Sequence, residues 1–181
     1  MDKPEETISS EVVFRGRVFS VVRDRVRHGS REYVREVVVH PGAVAIIAMT
    51  GAGELLLVRQ FRYPAGRYLV EIPAGTLEEG ESPENCAMRE LEEETGYKAG
   101  KIEKITEFFL APGYSTERIH LFIAYELERS TASPDVDEHI TLLKARVEEA
   151  LAMIEKGEII DAKTIAALLY LKHKHREVFN V

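Results

Sequence analysis

Apolar and polar positions change period several times along the chain, and each change marks an element. The first forty residues are Val-rich with partial alternation, in VVFRGRVFSVVRDRVR and REYVREVVV. They predict strands, with a turn at His28-Gly29-Ser30. After Pro41-Gly42, AVAIIAM is an unbroken apolar run, the pattern of a strand buried on both faces. Thr50-Gly51-Ala52-Gly53 then turns the chain into ELLLV, which predicts a hairpin. A loop with Pro64 and Gly66 leads to the short strand YLVEI, and Pro73-Ala74-Gly75 interrupts regular structure. Residues 83–95 predict a helix: Ser82 suits the N-cap, Pro83 the first turn and Gly96 the stop. Ala87 and Leu91 lie one turn apart and give it a core face. KIEKITEFF and RIHLFIAYEL read as strands joined by the loop APGYSTE, and the polar, acidic residues 130–139 read as the most mobile segment. A short strand at ITLLKA and helices over VEEALAMIEKG and AKTIAALLYLKHK complete the chain, which has no internal repeat. This order predicts an α/β domain over residues 41–181, a mixed sheet covered by helices, preceded by an antiparallel β annex over residues 1–40.

The helix at 83–95 also carries the most concentrated charge. Glu90 and Glu94 are four residues apart and share a helix face, with Glu93 beside them. Two carboxylates ~4 Å apart at an effective dielectric of ~20 repel by about 4 kcal/mol, so gathering them requires a neutralising cation. A hard divalent ion answers that need, since Mg²⁺ is commonly held by one or two carboxylates together with substrate phosphates. The Ala74-Gly75 turn offers a backbone carbonyl to the same ion, and Arg89 offers a guanidinium to pair with a neighbouring carboxylate. The bland alternative for an isolated Glu triplet is a solvated helix face near Arg89 and Lys98. The residues flanking the triplet decide against it.

Composition narrows the class. The 181 residues hold 24 Lys and Arg against 31 Asp and Glu, a net charge of −7, which argues against sequence-independent nucleic-acid binding. An apolar share of 45% supports a sizeable core. The single Cys86 forms no intrachain disulfide and no Cys-rich zinc site; it reads as a small buried residue of a protein kept in the reducing cytoplasm. MDKPEETISSE lacks the basic start and apolar run of a secretory signal, and no apolar stretch approaches the ~20 residues of a membrane span. No membrane or nucleic-acid partner is therefore expected. Arg23, Arg25 and Arg27 alternate as a solvated strand face, and His173 and His175 are not expected to form a zinc site.

The spacing around the acidic helix resembles the Nudix box: Gly75, Glu81, Arg89-Glu90-Leu91, Glu93-Glu94 and Gly96, with Tyr97 in place of the usual aliphatic residue. The likeness extends from about His40 to Lys172 in the order of strands and helices. It implies an α/β/α sandwich whose box helix binds Mg²⁺ or Mn²⁺ and cleaves a nucleoside diphosphate linked to another group. By position, Glu90, Glu94 and the Ala74 carbonyl are the implied metal ligands. Glu93 is a ligand or orienting group, Arg89 positions the glutamates, and Glu81 lies near the metal site. Pro112, about fifteen residues past the box, is similar to the ADP-ribose pyrophosphatases of this family, as are HPGAV, RQFRYPAG, EIPAG and DAKTIAALLY.

That likeness implies hydrolysis of ADP-ribose to AMP and ribose 5-phosphate. Another nucleotide sugar, NADH or a dinucleoside polyphosphate is the alternative substrate, and a non-catalytic ADP-ribose sensor is the alternative class. The sensor reading is disfavoured because every acidic box position is filled and the C-terminal helices carry no basic recognition surface. Arg62 is expected near the substrate diphosphate and Glu117 at the ribose end, against the plainer readings of a surface Arg and a strand-entry Glu. The general base is expected on the acidic loop, at Glu138, with Asp137 and Asp135 as competitors. The family likeness also implies a homodimer in which Arg35 reaches the partner's substrate phosphates, against an ordinary exposed strand residue.

Overall fold

The computed structural model describes residues 4–130 and 140–174. Three strands come first: β1 (Glu6–Arg15), β2 (Ser20–His28) and β3 (Arg31–Val39), paired antiparallel in that order as a separate sheet. The long Val-rich run thus folds back on itself at residues 16–19, where the Gly16 N–H donates to the Phe19 carbonyl at 2.9 Å. The expected turn at Gly29 joins β2 to β3.

The second sheet is mixed and seven-stranded. It holds β4 (Ala43–Met49), β5 (Glu54–Arg62), β6 (Arg67–Glu71), β7 (Ala74–Thr76), β8 (Tyr97–Phe109), β9 (Arg118–Arg129) and β10 (Thr141–Arg146). Its main path runs β10-β5-β4-β9-β8, with β6 on β5 and β7 on β4; only the β4–β9 pair is parallel. Helix α1 (Pro83–Thr95) covers one face, and α2 (Val147–Glu155) and α3 (Ala162–Lys174) the other.

β4 shows why its sequence is unbroken by polar residues. Strand side chains alternate between faces. Val44, Ile46 and Ala48 pack with Ala87 and Leu91 of α1. Ala43, Ala45 and Ile47 pack with Ala150 of α2 and Leu168 of α3. Both faces are covered, as the expected α/β/α sandwich requires, and no described helix is long and apolar enough to cross a membrane.

The stretch after Pro73 differs from expectation: Ala74–Thr76 is a short strand, not a break. Pro73 lacks an N–H but needs none, because it begins the pairing with its carbonyl, which accepts the Ile46 N–H at 2.8 Å; Leu77 N–H closes the ladder on the Gly42 carbonyl at 3.1 Å. In this antiparallel register Ala45 faces Ala74 as a non-hydrogen-bonded pair, so the Ala74 amide and carbonyl point away from β4. That orientation builds the site.

β3 is hydrogen-bonded to the loop between β8 and β9, where the Val38 N–H donates to the Tyr114 carbonyl and the Val38 carbonyl accepts the Thr116 N–H, at 2.8 and 2.9 Å. Every residue of β1 is exposed.

Candidate active site

Helix α1 forms where its caps dictate. Ser82 Oγ accepts the Asn85 N–H at 3.2 Å, Pro83 occupies the first turn, and Gly96 ends the helix in the left-handed region at φ 70°. The helix buries Cys86, Ala87 and Leu91 against the sheet, and this docking presses its acidic side onto β7.

There Glu94, only 5% exposed, accepts the Ala74 N–H through Oε2 at 2.9 Å. Glu90 lies directly over Gly75, where an added Cβ would stand 1.8 Å from the Glu90 Cδ. Glycine at this point is what lets the carboxylate lie so close to the strand. Two carboxylates and the outward edge of Ala74 are thus brought together by a helix meeting a strand.

Arg89 ties the remaining acids. Its Nε and Nη2 donate to the two Glu81 oxygens at 3.0 Å each, and its Nη1 donates to Glu90 Oε1 at 2.8 Å and to Glu93 Oε2 at 2.9 Å. These hydrogen bonds hold the Glu81 carboxyl down at about 2 and raise the Arg89 guanidinium above its ordinary value. Beneath them the Cys86 thiol is pushed up to about 12, first by burial and then by the negative charge of Glu81. It is a packed thiol, not a nucleophile.

The site opens into a cleft of about 1200 Å³, whose walls include Ala74, Arg89, Glu90 and Glu94 on the acidic side and Arg62 and Glu117 elsewhere. Arg62 lies at the end of β5, with Nε and Nη2 donating to Glu71 Oε1 and Oε2 at 2.8 and 2.9 Å. Glu93 reaches the cleft only through Arg89.

Arg35 does not line the cleft within one chain; on the exposed face of β3 it pairs with Glu5 and lies 5.3 Å from the Tyr33 ring. Asp135, Asp137 and Glu138 lie outside the described residues. Six charged cleft residues had no assigned role in the sequence: Arg17 on the β1–β2 turn, Glu71, Glu78, Glu79, Asp161 and Lys163. A lone acid in the otherwise apolar YLVEI was the available signal for Glu71.

Among the described residues, no three His, Cys, Asp or Glu side chains form a ready-made metal cage. Magnesium does not require one, being commonly held by one or two carboxylates and completed by substrate oxygens. The donor chemistry here is hard oxygen throughout: the Glu90 and Glu94 carboxylates and the Ala74 carbonyl. The space where a Cβ would stand at Gly75 is the cradle that lets Glu90 approach. The residues present fit a divalent cation.

Fold and site together define a mixed-sheet α/β/α protein with an acidic helix at the edge of a substrate-sized cleft. The sequence model of the NUDIX domain matches residues 39–168, and the chain belongs to that family. It is 46% identical over 173 residues to the ADP-ribose pyrophosphatase of Bacillus subtilis (strain 168), covering 94% of each chain. It is 43% identical over 171 residues to a methanol dehydrogenase activator of Bacillus methanolicus, covering 93% of this chain and 92% of that one. The fold also matches the crystal structure of an ADP compounds hydrolase with a TM-score of 0.88 at 22% identity, over 100% of this chain and 99% of the other.

Proposed function

We propose that the protein hydrolyses the diphosphate of ADP-ribose to AMP and ribose 5-phosphate, using Mg²⁺ or Mn²⁺. The observation that carries this reading is the meeting of Glu90, Glu94 and Ala74 with Arg62 around one cleft. The relative from Bacillus subtilis supports the choice of ADP-ribose.

A divalent cation held there supplies neutralisation of the diphosphate and a water of lowered pKa. Glu90, Glu94 and the Ala74 carbonyl hold the cation, with Glu93 as a further ligand or orienting group. Arg89 fixes Glu90 and Glu93 from behind. Arg62 directs its guanidinium at the phosphates, and Glu117 borders the ribose end. The oxygen of a water bonds to one phosphorus, the bridging P–O bond breaks, and the water's proton passes to a base, for which the sequence offers Glu138.

Homodimerisation belongs to the same reading. The N-terminal sheet leaves Phe14 at 51% and Val34 at 56% exposed, a large apolar cost for a lone chain and a natural surface for a second copy. Arg35 on that sheet is assigned to the partner's substrate phosphates. A cytoplasmic location agrees with the reduced, buried Cys86.

Product analysis across ADP-ribose, other nucleotide sugars, NADH and dinucleoside polyphosphates, with and without Mg²⁺, tests the proposal. Wild type should release AMP and ribose 5-phosphate fastest from ADP-ribose, only with metal, and Glu94→Gln should lose at least about 100-fold in kcat. Intact ADP-ribose at high enzyme concentration, with another diphosphate consumed, would move the assignment to that substrate.

A further inference from the structure

The cleft holds a second charged network that the roles above leave unused. Glu71, 1% exposed, receives Arg62 on both oxygens, and its Oε2 also accepts from Lys163 Nζ. The Lys163 ammonium pairs in turn with Asp161 Oδ2 at 3.1 Å. That oxygen accepts the Thr164 N–H and Oγ1–H at 2.9 and 2.6 Å, and Thr164 Oγ1 accepts the Ile72 N–H at 3.0 Å. The first turn of α3 is therefore bound both to the Glu71 side chain and to the backbone that leads into Ala74.

Lysine is an expensive choice for this position. Lys163 is 8% exposed and sits in the first turn of α3, where desolvation and the helix dipole both disfavour a cation. A methionine fills similar volume without either cost. Its charge answers Glu71. With Arg62 alone, Glu71 would cancel the guanidinium one for one. Lys163 draws off part of that carboxylate's charge and Asp161 pairs with Lys163 in turn, so the four groups balance in charge while Glu71 is held from both sides. The paired Arg62–Glu71 hydrogen bonds also fix the plane of the guanidinium.

We propose that Lys163 is a positioning residue for substrate binding: acting through Glu71, it sets the direction of the Arg62 guanidinium and draws off part of the Glu71 charge otherwise set against it when an anionic diphosphate binds. This inference rests on the diphosphate reading above. Arg62 would touch substrate; Lys163 would act through it.

The test uses the full chain as wild type, Lys163→Met, Arg62→Ala and the double variant. Binding of a non-hydrolysable ADP-ribose analogue is measured by calorimetry with Mg²⁺ present, and kcat and KM are measured with ADP-ribose and Mg²⁺. Lys163→Met should weaken binding and raise KM by about tenfold while kcat stays within about threefold, a coupling typical of residues in one ion-pair network. The double variant should bind no more weakly than Arg62→Ala alone, a result that a merely structural lysine would not give. If Lys163→Met does not fold, Lys163→Gln keeps an amide donor for Glu71 without the charge and serves in its place. Binding within about twofold of wild type, or losses that add in the double variant, would overturn the inference. A wild type that binds and cleaves no nucleoside diphosphate would instead remove the functional reading, and this inference with it.

Discussion

Gly75→Ala separates the fold from its chemistry. The new methyl carbon would stand 1.8 Å from the Glu90 Cδ and 2.0 and 2.3 Å from its oxygens, whereas ordinary contact begins at 3.4 Å. The carboxylate must therefore retreat by about 1.6 Å, the gap between 1.8 and 3.4 Å. The backbone itself accepts alanine, because Gly75 is not among the positive-φ glycines. Glu90 is the end of a flexible side chain and can swing away, so stability should change by no more than about 1 kcal/mol, with reduced freedom of the unfolded chain acting in favour of the variant. Metal coordination has no such tolerance: ligand distances hold within about 0.2 Å. A displacement several times larger should cost at least about 100-fold in kcat/KM, or about 2.7 kcal/mol of transition-state stabilisation. The assay is steady-state hydrolysis of ADP-ribose beside a thermal melt and Mn²⁺ titration. A variant with native melting, native Mn²⁺ affinity and kcat/KM within threefold of wild type would refute the placement of Glu90 as a fixed ligand.

Three further outcomes follow from the same geometry. Glu81 is held at about 2 against an ordinary 4.5 by its hydrogen bonds from Arg89, so its ionised form stabilises the fold above pH 4.5. In urea melts, the stability advantage of wild type over Glu81→Gln should be full at pH 7 and shrink as pH falls from 4.5 towards 2; an advantage independent of pH would contradict the pairing. Cys86, with its thiol pushed up to about 12 and buried, should resist a thiol reagent at pH 8 until denaturant is added, and rapid native labelling would show the α1 interface to be open. Glu138→Gln should lower turnover with unchanged Mn²⁺ affinity, and near-normal turnover would pass the base role to Asp137 or Asp135.

The parts legible in the sequence are those specified by neighbours. The helix at Pro83–Thr95 matches its expected bounds because Ser82, Pro83 and Gly96 act within a turn of its ends. The apolar run of β4 is equally local, since continuous burial erases alternation. β7 was missed because its pairing comes from β4, about thirty residues earlier in the chain, and overrides the local effect of Pro73. The Glu71–Lys163 pair spans 92 residues, so neither side chain signals the other in a linear reading; each looks like a stray charge in an apolar element. Arg17 entered the cleft because the first strand run folds back at Gly16, a turn hidden within a stretch of valines and arginines.

The acidic helix also alters the electrostatic argument made from its sequence. In the sequence, mutual repulsion calls for a neutralising cation; in the structure, Arg89 meets Glu81, Glu90 and Glu93 with hydrogen bonds. Arg89 thus meets part of the charge that the sequence argument gave wholly to a cation, and the proposed ion has only the remainder to complete. Four carboxylates, Glu81, Glu90, Glu93 and Glu94, stand against one guanidinium, which leaves three negative charges beside Arg62 and the cleft. An anionic diphosphate is repelled by that surface alone and welcomed once a divalent cation lies between them. Arg89 donates to Glu90 from behind and the Ala74 N–H donates to Glu94, so each of the two proposed ligands is oriented independently by the chain itself. Cation and substrate should consequently bind with positive coupling, each lowering the charge penalty of the other. Mg²⁺ affinity measured with and without a bound non-hydrolysable ADP-ribose analogue should rise by about tenfold or more in its presence. Equal affinities would mean that the substrate phosphates lie away from the cation, and would refute the bridging of diphosphate and acidic helix by one ion.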